Sequence, residues 1–472
     1  MVEVASLILI ILYFLALKAI AWLCHRKSSH TQEDFFLGGR IVSGPLLWAT
    51  VLATAVNSLA YTAVPGLVYQ GGVLFVFMWA VVIGLALCIR FLGPLVASYA
   101  RFHHLISQGE LFGHYYSSRS IQNATGLLAI AAALPFMCVQ LNGMAKIAHS
   151  ATAGVVSYEL ALLLLAAYTG VYIFYGGARA VIATDLVQAT VFTLLLLFTA
   201  CLFTYWIGGF SQAFGAIRTA RPELLHFNAT TLSACIDNAV SWPLAFFLWP
   251  QLFQRMLMAK DEPSIRETSR ATLWLFGFTM SLIMTIGIMI TAEFITEARS
   301  PDTLVAEMFR RHWPAGSSVV VLAVIALGMS TLDSGLLALS SIVSRDLLRT
   351  SDYSFSRRCS LVLLVVVTLL AASETGRGAL APMVSFGASL AALLIWPVLG
   401  MTFLPGLTSR QILLAYTCGA SAIASSIFGP AFGPGILGMV GGMTGIALGW
   451  AMDRTWFVVG RIERARRKHR LF

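Results

Sequence analysis

Along the chain, apolar residues gather into runs of about 20, separated by short polar or basic stretches, and a helical run of that length crosses about 30 Å of hydrocarbon. The runs predict spans near residues 5–24, 43–68, 71–98, 122–149, 157–176, 182–208, 234–256, 270–295, 317–348, 358–373, 379–405, 410–428 and 433–453, about thirteen in all. Short segments of alternating polarity, which a spanning β-barrel needs, are not the pattern. Met1 to Ala5 lacks the basic region of a cleavable leader, so the first run is expected to remain a helix. With no soluble domain or long charge block between runs, residues 1–472 read as one all-α integral membrane domain.

Composition agrees with a lipid solvent. The chain is 58% hydrophobic and 11% charged, whereas soluble domains carry about a quarter charged residues. The net charge of +10 sits beside the hydrophobic runs, and the tail Arg461, Arg464, Arg466, Arg467, Lys468 and Arg470 follows the last span directly. That placement suits an anionic leaflet, and no basic folded domain presents a nucleic-acid surface. Loops holding His25 to Lys27, Arg101, Arg119, Arg179, Lys260, Arg266, Arg270, Arg345, Arg349, Arg357, Arg358 and Arg410 alternate with loops whose cations are mainly Arg218, Arg221, Arg299, Arg310, Arg311 and Arg377. The positive-inside rule then puts the carboxyl terminus in the cytoplasm and, for an odd number of spans, the amino terminus outside a cell (inner) membrane. The seven cysteines are scattered through apolar segments with no metal or disulfide spacing. No Ser/His/Asp or metal constellation points to an enzyme.

Two spans are interrupted. The second carries Asn57-Ser58 and then Pro65-Gly66, and the seventh carries Trp242-Pro243 and Trp249-Pro250. Interruptions five spans apart, in corresponding places of two halves, are the sequence pointer to an inverted-repeat transporter with its site at mid-membrane. Proline tolerance in membrane helices accounts for either one alone.

A polar stripe crosses the ninth span. At about 100° per residue, Leu327, Ser330, Thr331 and Ser334 share one helical face. Their hydroxyls are hard oxygen ligands suited to an alkali cation. The competing reading is that such hydroxyls bond their own i−4 carbonyls or join neighbouring helices. Asp333 adds weight to function, because an intramembrane carboxylate is costly to keep; its structural alternative is a contact with Arg345, about three turns on. A second cluster, Tyr172 to Gln188, predicts a tight turn at Gly176-Gly177 and places Thr184-Asp185 near the start of the next helix. Asp185 there is either a helix cap or a guide for a cation.

Four segments resemble the sodium:solute symporter family: Phe35-Phe36-Leu37-Gly38-Gly39-Arg40, Tyr61 to Gly72, Tyr172 to Gln188, and Gly328 to Asp346. The resemblance implies a leucine-transporter-like core of two inverted five-helix repeats over residues 41–405, an extra helix at 5–24, two more at 410–453 and a basic tail at 454–472. It also implies a sodium site made by the backbone carbonyls of Ala53, Val56 and Leu327 and the hydroxyls of Ser330 and Thr331. Asp185, with Asp333 and Ser334, is placed at a second ion site or ion path.

The chain departs from parts of the family. Ala55 and Ala60 stand where some members carry an aspartate and sugar carriers a glutamine. The stretch Leu248 to Arg255 looks most like the monocarboxylate and pantothenate branch. Candidate solute contacts are Asn57, Tyr61, Gln140, Asn142 and Trp242, each of which also suits an interhelical bond or packing aromatic. The expected function is sodium-coupled symport of a small, carboxylate-bearing solute by alternating access, with Na+ as coupling ion, no other cofactor and membrane lipid as surroundings. Alternatives are a proton-coupled carrier, or a sensor domain that would need a separate signalling partner.

Overall fold

The apolar runs become helices because a backbone in hydrocarbon must satisfy every N–H and C=O within its own segment. The computed structural model of the chain describes residues 2–26, 28–61, 63–152, 154–373, 380–426 and 433–469. Helix α1 (Val2–His25) is followed by α2 (Gln32–Leu37), α3 (Gly44–Ala55), α4 (Ala63–Gly71), α5 (Phe77–Phe91), α6 (Gly93–Phe102), α7 (Gln108–Tyr115), α8 (Arg119–Ala151) and α9 (Tyr158–Ile207). Then come α10 (Phe210–Ala220), α11 (Ala229–Leu248), α12 (Pro250–Met258), α13 (Glu262–Ala271), α14 (Gly277–Glu293), α15 (Leu304–His312) and α16 (Ser317–Ile342). The chain continues through α17 (Tyr353–Ala372), α18 (Leu380–Ala392), α19 (Ile395–Thr402), α20 (Ser409–Ser425) and α21 (Pro434–His469).

Nine helices among the described residues are long and apolar enough to cross a membrane, against the thirteen spans expected. The difference has local causes. The second span is broken, leaving α3 only 12 residues long, α20 has 17 residues, and α1 counts only as the shorter apolar stretch Leu12–His25. Helix α9, at 50 residues, takes in two expected spans. It is not straight: Gly177 (φ 53°, ψ −158°) departs from helical geometry inside it. The Tyr172 and Thr184 hydroxyls are hydrogen-bonded across this point, whereas 12 residues of straight helix would hold their backbones about 18 Å apart. The chain therefore folds back at Gly177, as the Gly-Gly pair predicts. Arg377 and Arg470 lie outside the described residues.

Both spans are interrupted, at Asn57 and at Trp249, whereas Pro65-Gly66 lies inside α4 and Pro243 inside α11. Helix α3 stops at Ala55, and Val56 is extended (φ −88°, ψ 119°). Asn57 (φ −129°, ψ −178°) then opens a single 3-10 turn, Ser58–Ala60, by accepting a hydrogen bond from the Leu59 backbone at 3.0 Å. In the seventh span, Trp249 leaves the helix (φ −57°, ψ 133°) and Pro250 starts α12, where its missing N–H costs nothing.

The ends of the two broken helices meet. Val42, just before α3, and Ala259, just after α12, form a parallel bridge, with Val42 N donating to Met258 O at 3.3 Å and Lys260 N to Val42 O at 2.8 Å. Around this bridge the cations of the more basic loops collect. Arg40 donates to Leu105 O at 2.6 Å and Leu257 O at 3.3 Å, and Arg179 pairs with Asp34 at 2.5 Å. Arg345 pairs with Glu110 at 2.7 Å, so it is not the partner of Asp333. The opposite face holds Lys146 with Asp302, Arg221 against Tyr69, and Arg299 and Arg311 around Glu297.

Two of the quoted motifs pack on each other at the first face. Gly38, Gly39 and Arg40 have successive positive φ values of 60°, 75° and 55°, a left-handed turn that favours glycine. It sets Phe35 against Gly177, where an added Cβ would lie 2.7 Å from the Phe35 ring. Helices α20 and α21 pair closely, with Gly441 and Gly445 against the Cys418 and Leu414 carbonyls. The outer surface stays apolar: Leu163, Leu164, Leu194, Val362, Val365 and Leu369 are all exposed.

Candidate functional site

The hydroxyl face of α16 meets the end of α3. Ser330 Oγ donates to Ala53 O at 2.8 Å and to Leu327 O at 2.9 Å. Thr331 Oγ1 lies 3.5 Å from Ala53 O, 3.3 Å from Thr54 O and 3.3 Å from Leu327 O. Four of the five expected sodium ligands, Ala53, Leu327, Ser330 and Thr331, thus converge, all of them fully buried. Val56 sits where the helix breaks, one turn on from Ala53, and is 1% exposed. The i−3 and i−4 bonds expected of membrane serines and threonines are present, and the same hydroxyls also reach across to α3.

One turn further along α16 lies a buried polar cluster. Arg255 of α12, Asp185 of α9 and Asp333 and Ser334 of α16 are each fully buried. Arg255 Nη2 approaches Asp185 Oδ2 at 3.3 Å and also donates to Ser334 Oγ. Arg255 Nε lies 3.4 Å from Thr54 Oγ1, and the Thr50 hydroxyl donates to Asp185. Ser334 Oγ donates to Ser330 O at 2.7 Å, linking the cluster to the hydroxyl face. Asp185 caps no helix end; it lies eight residues past the fold-back at Gly177. Both carboxylate oxygens of Asp333 and Oδ1 of Asp185 lack a hydrogen-bond partner among the described residues, which is rare for buried polar groups.

A cavity of about 290 Å³ opens beside the break in α3, lined by residues of α3, α4, α5, α11, α14 and α18. Asn57 and Trp242 of the expected solute contacts line it. Tyr61, Gln140 and Asn142 do not stand on its wall. Tyr61 is bonded to Thr199 at 2.9 Å, and Gln140 Oε1 accepts from Ser58 N at 3.1 Å and Ser58 Oγ at 2.9 Å. Asn142 accepts from the Tyr158 hydroxyl. These three tie helices together.

Sequence reasoning missed most of the wall. Phe77, Met78, Phe246, Phe276 and Met280 supply its apolar surface, and Asn238 and Ser385 are polar members. Ala55 and Ala60, the two departures from the family pattern, also face it, so the wall is apolar at these two positions. Asn238 accepts from Trp242 Nε1 at 2.7 Å and fixes the indole. Among the described residues, no arginine, lysine or histidine lines the cavity. Aromatic residues in an apolar helix carry no mark of their own, but the spacing of Asn238, Trp242 and Phe246 at i, i+4 and i+8 put them on one face.

Comparison with known proteins gives one consistent result. The chain matches the sodium:solute symporter family over residues 35–419. It is 26% identical over 361 residues to the osmoregulated proline transporter OpuE of Bacillus subtilis, covering 74% of this chain and 71% of that protein. It is 27% identical over 356 residues to the sodium/pantothenate symporter of Haemophilus influenzae, covering 72% of this chain and 71% of the relative. Among solved structures, a Na+-coupled sialic acid symporter in a substrate-bound outward-open state, with a novel Na+ site, superposes with a TM-score of 0.76. It covers 95% of this chain and 98% of its own at 16% identity, a likeness of fold.

Proposed function

The chain belongs to the sodium:solute symporter family, so it is a transporter with Na+ as its coupling ion, and we propose that Ser330 and Thr331 hold that ion against the break after α3. The carbonyls of Ala53, Val56 and Leu327 complete the ligand set. The observation that carries this reading is the convergence of both hydroxyls on the Ala53 carbonyl, 2.8 Å from Ser330 and 3.5 Å from Thr331. Neutral hard oxygens suit an alkali cation over a soft metal.

The solute occupies the cavity beside Asn57 and Trp242. Its wall is mainly apolar, which favours a compact solute with an apolar body over a polyhydroxylated one. Proline and pantothenate, named for two relatives, each carry one carboxylate, and a carboxylate-bearing metabolite remains the proposed class. With no cationic side chain among the described residues of the wall, its charge is met by the sodium ion and by backbone N–H groups where the helix is unwound. Sodium and solute each favour the same arrangement of the broken helices, so each tightens the other's binding by the same factor.

The remaining architecture follows this reading. Thirteen crossings comprise a ten-helix core over 41–405, one helix before it and two after it, followed by a basic tail. The face carrying Arg40, Arg179 and Arg345 is cytoplasmic, and the amino terminus lies outside the cell membrane.

Uptake into proteoliposomes tests it, with radiolabelled proline and pantothenate as first probes. A screen of melting temperature against organic acids, amino acids and vitamins, in sodium against potassium, extends the probes. Uptake by the wild type rises with an inward sodium gradient, and Ser330→Ala and Thr331→Ala lose that dependence. Unchanged sodium dependence in both variants would overturn the site assignment.

A further inference from the structure

Helix α12 is buried along its whole length and yet carries three long polar side chains, Gln251, Gln254 and Arg255, none more than 3% exposed. A helix that stays packed on all sides is normally apolar all round. Arg255 has the partners described above. The Oε1 atoms of Gln251 and Gln254 have none among the described residues, and neither has Oε1 of Gln108 on α7. Burying an acceptor without a partner is costly.

Two of these amides face one place. Gln108 and Gln254 line a cavity of about 10 Å³ together with Ser341, Phe253, Leu257 and Ile342, room for about one water. The amide bonds that close this seam are long. Gln254 Nε2 lies 3.4 Å from Ser341 Oγ and Gln108 Nε2 lies 3.2 Å from Leu248 O, against the usual N–H···O distance of about 2.9–3.0 Å.

The seam is in line with the proposed sodium site. Along α16, Ser334 and Ser341 fall about 40° and about 20° around the helix from Ser330, and Ser341 lies about 17 Å further toward Arg345. The hydroxyl face that meets α3 at Ser330 therefore continues to the point where α16 meets Gln254 of α12.

We infer that ion and solute leave along this seam, between α12 and the α7–α16 pair, with Gln108, Gln254 and Ser341 as its polar lining. This rests on the sodium site and the cytoplasmic orientation proposed above. Shut, the seam leaves two amide oxygens unpaired; parted, it gives both to water. Phe253, Leu257 and Ile342 supply its apolar closure. An ion held by Ala53 and Ser330 joins α3 to α16, and α3 is joined to α12 through the bridge at Val42 and Ala259. Bound sodium therefore favours the shut seam, and the parted seam holds sodium weakly.

Cysteine accessibility tests this route, read by mass spectrometry at each position so that the native cysteines do not interfere. Ser341→Cys is compared with Ser340→Cys, one residue away and about 100° around the helix. Each folded variant, in nanodiscs, meets a charged methanethiosulfonate reagent in sodium or in potassium at equal ionic strength. Sodium at about ten times its dissociation constant lowers the ratio of parted to shut protein about tenfold when it binds only the shut state. Position 341 is then modified several-fold faster in potassium than in sodium, and position 340 stays unmodified in both. Gln254→Leu added to Ser341→Cys gives the shut seam an apolar lining and slows modification in potassium. Should Ser341→Cys fail to fold, Gln254→Cys is read in the same way. No modification at position 341, modification that ignores the ion, or equal modification at position 340 overturns the inference. Thr331→Val added to Ser341→Cys separates the two readings: protection by sodium that persists there removes the sodium-site assignment and leaves the seam standing.

Discussion

The hydroxyl of Ser330 and the carbonyl of Ala53, 277 residues apart in sequence, stand 2.8 Å from each other where a helix has stopped. Because α3 ends at Ala55, its last carbonyls are not committed to a following helical turn. Oxygen atoms from two helices thereby reach the same spot in the interior without a charged side chain.

Thr331 separates ligand chemistry from packing. Thr331→Ser keeps the oxygen and is expected to leave the sodium half-saturation of uptake close to the wild type. Thr331→Val keeps the shape and removes the oxygen. A lost contact to a charged group is worth about 1.5–3 kcal/mol, so sodium affinity falls about 10- to 100-fold. Equal affinities in the two variants would assign Thr331 to packing alone.

The cavity wall distinguishes Trp242 from Tyr61. Trp242 lines it, whereas Tyr61 is fully buried and bonded to Thr199. Trp242→Ala removes apolar contact worth about 1.5–3 kcal/mol and raises the solute half-saturation concentration on the order of tenfold. Tyr61→Phe leaves it unchanged and lowers the melting temperature. The reverse pattern would move the solute to the far side of α4.

The fold-back in α9 depends on glycine. Gly177 has φ 53° and no room for a methyl group beside Phe35, while Gly209 has φ 99° and open space. Both alanine substitutions incur backbone strain of about 1–2 kcal/mol, but only Gly177→Ala adds a clash. Its melting temperature is expected to fall further than that of Gly209→Ala; an equal fall would mean that Phe35 gives way freely.

A pH effect is expected on the face opposite the bridge. Arg311 and Arg299 donate to Glu297, each at 2.8 Å, and hold its carboxyl below the ordinary range. A depressed folded-state value means that the stabilisation is present above the ordinary glutamate value, about 4.3, and is lost as pH falls through the lower folded one. Hydrogen exchange over residues 293–312, corrected for intrinsic rates, should quicken below about pH 4. In Glu297→Gln that acid step should vanish; its persistence would assign the step to another group.

Much of the architecture was readable because hydrocarbon imposes length and apolarity residue by residue. The breaks at Asn57 and Trp249, the turn at Gly177 and the face of Ser330 and Thr331 all rest on local rules of helix chemistry. The partner of Asp185 was not readable in this way. Arg255 lies in the quoted stretch Leu248 to Arg255, but its pairing spans 70 residues and two helices, and no spacing rule reaches that far. Tyr61, Gln140 and Asn142 were placed at the solute because polarity in a span suggests function; all three are engaged in hydrogen bonds between segments, while Nε2 of Gln140 has no partner among the described residues. The aromatic wall was hidden for the opposite reason, since Phe77, Phe246 and Phe276 look like any lipid-facing or core residue until the helices are assembled.

The bridge between Val42 and Ala259 gives the two broken helices a common yoke. Backbone bonds there join the chain entering α3 to the chain leaving α12, and Arg40 adds a strut to Leu257 O. Neither inner half can swing by itself while that yoke holds. Any opening toward this face is therefore expected to carry both segments together, and with them the proposed ion site.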